Sequence, residues 1–177
     1  EYLADNSWRP DRVELAEATS RYCRTRYAAA LAAAMEPIWT SFLPLAQTLH
    51  WDNGPRCWEP QYRVLHRNDF ASLTAERLKG FETERSRMLP ALKQTPQCLR
   101  RLGELSPICY DNPLWRRDAI DIARTAAGRA YYVAMLLGAA RMEAWRKEQA
   151  DAEQVRRAAA ASQETLAALA ELLALAD

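Results

Sequence analysis

Along most of this chain apolar residues return every three or four positions with charged residues between them, and nowhere do apolar and polar residues alternate in twos. That is the periodicity of amphipathic α-helices rather than of half-buried strands. The longest such interval, Asn112 to Glu148, contains no proline after Pro113. Asn112 suits the N-cap, where its side-chain oxygen accepts from an amide of the first turn, and Pro113 suits the first helical position, where a missing N–H costs nothing. Ile120, Ala123, Ala127, Ala130, Ala134 and Leu137 then form one stripe, with Arg117, Asp121, Arg124, Gly128 and Tyr132 on the other side. The stripe is expected to face the core. From Val133 to Ala140 the residues are apolar all round, which predicts enclosure by other helices and falls far short of the ~20 apolar residues of a membrane span. A rod about 50 Å long, at ~1.5 Å per residue, needs partners, and its alanines let neighbouring backbones come close.

Taken in order, residues 1–10 are irregular, carry Trp8 and read as a connector. A helix is predicted from Pro10 or Asp11 to Tyr27, with Val13, Leu15, Ala16, Ala18, Tyr22, Cys23 and Tyr27 inward and Glu14, Glu17, Arg21 and Arg24 outward. A second follows over 28–51, where Pro37 and Pro44 are expected to kink or restart it. From His50 to Tyr62, Asn53-Gly54-Pro55 and Pro60 exclude regular structure and leave an aromatic loop. A third helix is predicted from Asp69 to Lys93, disturbed at Pro90, and then a short segment from Thr95 to Leu105. After Glu148 a break near Gln149 to Asp151 leads to a last helix, Ala152 to Ala176. The fold class is all-α: one helical domain over 1–177, a bundle of about five or six helices around a long central one.

Composition narrows the function. With 177 residues, 49% of them apolar, the chain can bury a substantial core as one domain. Its 24 basic and 23 acidic side chains nearly cancel, so charge gives no case for nucleic acid or an anionic membrane surface. The 21 arginines against 3 lysines are scattered along helices as solvated stems. Cys23, Cys57, Cys98 and Cys109 form no C-x-x-C, and with only His50 and His66 beside them no metal or other cofactor is expected. Were the protein exported, Cys98 and Cys109 are candidates for a disulfide across the Pro107 turn; two buried thiols are the alternative.

Asp118 and Asp121, three apart on the central helix, have a separation that suits a retaining glycosidase. Arg117 and Arg124 flank them, and nearby positive charge lowers a carboxyl pKa where a catalytic acid needs it raised, so ordinary surface ion pairs are expected. Glu14 and Glu17 read as a solvated face. No Ser-His-Asp or Cys-His arrangement and no glycine-rich phosphate cradle can be assembled. The aromatic loop gathers His50, Trp51, Arg56, Trp58 and Tyr62, the ingredients for stacking on a sugar or docking a second domain, with packing over helix ends as the plainer reading. Its tryptophans and Trp8 are expected to be more exposed than Trp39, Trp115 and Trp145.

Two patches resemble a known family. Trp8 to Tyr27, WRPDRVELAEATSRYCRTRY, is similar to the segment after the catalytic barrel of α-N-acetylglucosaminidases, glycoside hydrolase family 89, through Trp8, Arg9, Asp11 and the Arg26-Tyr27 pair. Leu114 to Tyr132, LWRRDAIDIARTAAGRAYY, looks like that family's Phe-Arg-x-Asp-Leu-x-Asp-Leu-x-Arg-Gln stretch, through Arg117, Asp118, Asp121, Ile122 and Arg124. Ala28 stands where the family has glycine, and Leu65-His66 where it has a Trp-Tyr pair. The resemblance implies a C-terminal helical domain that packs on a (β/α)8 barrel of the same parent protein and helps wall its cleft. The family's catalytic glutamates lie on that barrel, so no catalytic residue is carried over. Trp8, His50, Trp51, Arg56, Trp58 and His66 become the expected interface or glycan-contacting residues, and a periplasmic or secreted setting is implied.

Two functions of different classes follow as expectations, the first with a variant in which the chain is the helical appendage of some other barrel glycosidase. One is the helical portion of a bacterial exo-acting glycosidase, with a glycan at the domain interface. The other is a stand-alone interaction domain that buries the apolar face from Leu166 to Leu175 against a partner. Neither calls for nucleic acid or a membrane span. The fold alone does not choose between them.

Overall fold

A computed structural model describes residues 13–46 and 82–174. Among these the chain is all-α, with five helices: α1 Leu15–Arg26, α2 Ala29–Ala46, α3 Glu82–Cys109, α4 Pro113–Arg146 and α5 Ala152–Ala174. α1 packs on α2, α2 on α3, α3 on α4, and α5 lies along α4. The long central helix is present as its end signals predict. Asn112 Oδ1 accepts from the amides of Leu114 at 3.0 Å and Trp115 at 3.1 Å, which satisfies two donors that the first turn leaves over. The break after it is also present. Lys147 closes α4, Glu148 takes a left-handed φ of 59°, and Asp151 Oδ1 accepts from the Gln154 amide at 2.7 Å to start α5.

The prolines behave differently from expectation. α2 is continuous through Pro37 and Pro44, and the predicted third helix and short segment are one helix, α3, that runs through Pro90, Pro96 and Pro107. Each interior proline deletes an amide and crowds the carbonyl four residues back, at about 3 kcal/mol. All five are exposed, so the freed carbonyls reach water and the inward faces continue unbroken.

Burial against neighbouring helices offsets that cost. The main core joins Cys23 from α1 and Tyr27 just past its end, Met35, Ile38, Phe42 and Leu45 from α2, Cys98 and Leu102 from α3, and Trp115, Ile122 and Ala126 from α4. A second cluster packs Met88 against Tyr131, Tyr132, Val133, Met135, Leu136 and Ala139. Val133 to Ala140 is thus largely enclosed, as its composition predicts. The first half of α4, however, is turned from the expected face: Trp115, Asp118, Ile122 and Ala126 are buried, Ile120, Ala123, Ala127, Ala130 and Ala134 are half-buried, and Leu137 is exposed. Trp and Ile bury far more apolar area than alanine methyls, so they set the rotation. α2 is, by length and composition alone, long and apolar enough to cross a membrane; 28% of that window is buried.

Cys98 and Cys109 are buried free thiols on the same helix. Eleven residues of continuous helix separate them by ~16 Å, where a disulfide needs Cα atoms within ~7 Å, so the disulfide alternative is excluded.

Candidate functional site

The chemistry-bearing residues of the described chain converge on Asp118. Arg26, in the last turn of α1, donates to it with both prongs, Nε to Oδ2 at 2.7 Å and Nη2 to Oδ1 at 2.6 Å. The hydroxyl of Tyr22 donates to Oδ2 at 3.1 Å, and the Tyr27 hydroxyl donates to the same oxygen. Tyr22 stands edge-on to Trp39 with ring centroids 5.5 Å apart, Trp39 is edge-on to Phe42 at 5.9 Å, and the Arg26 guanidinium sits 5.4 Å from the Tyr22 ring centre. The reason for this local arrangement is steric and electrostatic together. Tyr22 and Arg26 are four apart on α1 and so present on one face, and Asp118 lies three after Trp115 and four before Ile122, on the face of α4 that carries the largest apolar groups.

This corrects the expectation of a surface ion pair at Asp118, whose partner is neither Arg117 nor Arg124. Asp121 alone behaves as expected, exposed and paired with Arg124 at 2.8 Å. Glu14 and Glu17 are exposed, again as expected.

What the cluster can do chemically is limited. The two oxygens of Asp118 already accept from four donors, which leaves nothing to hold a substrate or move a proton. Burial, reinforced by the Asp118 charge, pushes the Tyr22 hydroxyl up to about 12; burial and the hydrogen bond to Asp118 push Tyr27 up as well. Burial, then Glu36 and Asp118, push the Cys23 thiol up to about 11. Burial likewise raises Cys98, against a lowering hydrogen bond from Ser41. A nucleophile or general base for neutral pH needs the opposite shift, so these groups stay protonated and inert. Arg26 is held more firmly charged, chiefly by its bond to Asp118. The cluster is a staple between α1 and α4.

Among the surface grooves, two are lined by described residues. One, of about 350 Å³, lies beside the staple and is lined by Leu15, Thr19, Tyr22, Trp39 and Leu43. The other, of about 430 Å³, lies between α3 and α4. No three His, Cys, Asp or Glu side chains converge as a metal site among the described residues. Trp8, His50, Trp51, Arg56, Trp58, Tyr62 and His66 lie outside the described residues. Of the other tryptophans, Trp115 is buried, Trp39 half-buried and Trp145 48% exposed; the comparison expected of them, with Trp8, Trp51 and Trp58, lies outside the described residues.

Set against protein-family models, curated proteins and solved structures, the chain matches none.

Proposed function

We propose that this chain is a helical accessory domain of an exo-acting glycoside hydrolase resembling α-N-acetylglucosaminidase, packed on a (β/α)8 barrel that supplies the chemistry. The observation that carries the reading is the Arg26–Asp118 pair. The two patches that resemble the family are far apart in sequence, yet Arg26 and Tyr27 of the first and Asp118 of the second, 92 and 91 residues away, share one carboxylate. Residues that mark a likeness in separate patches and also touch in space support one structural unit. Their role here is to hold two helices together, consistent with a domain that shapes a cleft and leaves bond cleavage to another.

Retaining and inverting glycosidases alike need two carboxyl groups with pKa values pushed apart. Asp118 is saturated with donors and Asp121 is exposed against Arg124. The purified 177-residue chain is therefore expected to leave an aryl α-N-acetylglucosaminide intact. The reading itself is tested in the parent reading frame: an upstream barrel with paired carboxylates must precede Glu1, and a frame without one overturns it.

A second reading, a stand-alone interaction domain, is favoured by the exposed apolar side chains Leu166 at 46%, Trp145 at 48% and Leu137 at 37%. The same frame distinguishes the two.

A further inference from the structure

We draw no further inference here: the strongest candidate, the apolar groove between α3 and α4 with Tyr110 and Arg116 at one end, is an unpartnered face, and nothing in the structure shows what covers it.

Discussion

Arg26 and Asp118 face each other across the α1–α4 boundary as a two-pronged ion pair, with 22% and 5% of their side chains exposed. A pair this enclosed has already lost its hydration, so removing one partner strands the other charge. Asp118→Asn, which keeps the shape and deletes the charge, should destabilise the fold by about 2–4 kcal/mol in urea titrations. Replacing both ends, Arg26→Met with Asp118→Leu, should cost clearly less than the sum of the single changes. Additive losses in that double-mutant cycle would mean the two groups do not depend on each other.

The same cluster sets an alkaline limit. Burial raises Tyr22 from 10.0 to about 12 and Cys23 from 9.0 to about 11. The unfolded chain therefore gives up these protons first, and above its pKa values the folded state holds more protons than the unfolded one. Stability from the two groups is complete below about pH 9 and drains away as pH rises through about 11 and 12. Urea midpoints should fall over that window, and Tyr22→Phe with Cys23→Ala should flatten the fall. An unchanged slope in that variant would exclude these groups as its source.

Glu148 ends α4 in a conformation that suits glycine. Its φ is 59°, its amide bonds to the Trp145 carbonyl at 2.9 Å, and the Gln149 amide reaches the Ala144 carbonyl at 2.9 Å, the paired closure of a helix C-terminus. A Cβ there crowds the following carbonyl. Glu148→Gly should stabilise the protein by about 0.5–1 kcal/mol, net of the extra freedom glycine brings to the unfolded chain. A lower melting temperature for this variant would contradict the account.

Caps and periodicity carried most of the fold. Asn112-Pro113 marked the start of α4, and the helical class followed from spacing alone. What was not legible depends on partners distant in sequence. The alanine repeat from Ala123 to Ala134 advertised a core face, but alanines bury little area, and Trp115, Ile122 and the claim of Arg26 on Asp118 turned the helix instead. Likewise the prolines in α3 predict a break only where the freed carbonyl has no water to meet, and burial is a tertiary property. A signal for the staple was present in the position of Asp118 between Trp115 and Ile122, while the identity of its partner, Arg26, was not.

Arg129 is the counter-example to the staple. It sits on α4 in sequence between the main core residues and the second cluster, and its Nε is buried without a hydrogen-bond partner among the described residues. Burial alone lowers its pKa to about 10, which still leaves it charged at pH 7, so folding dehydrates a cation with no carboxylate in return among the described residues. Methionine keeps the unbranched stem and removes the charge. Arg129→Met should stabilise the protein by about 1 kcal/mol at pH 7 and raise Tm by about 2–4 °C. The pH dependence checks the cause. A cation whose folded pKa is depressed penalises the fold below that pKa and ceases to do so as pH rises through it, the opposite sign to Tyr22 and Cys23. Without Arg129 the alkaline fall in stability should be steeper than in the parent above about pH 10. A variant less stable at pH 7, or one with an unchanged alkaline slope, would show that the guanidinium is stabilised where it lies.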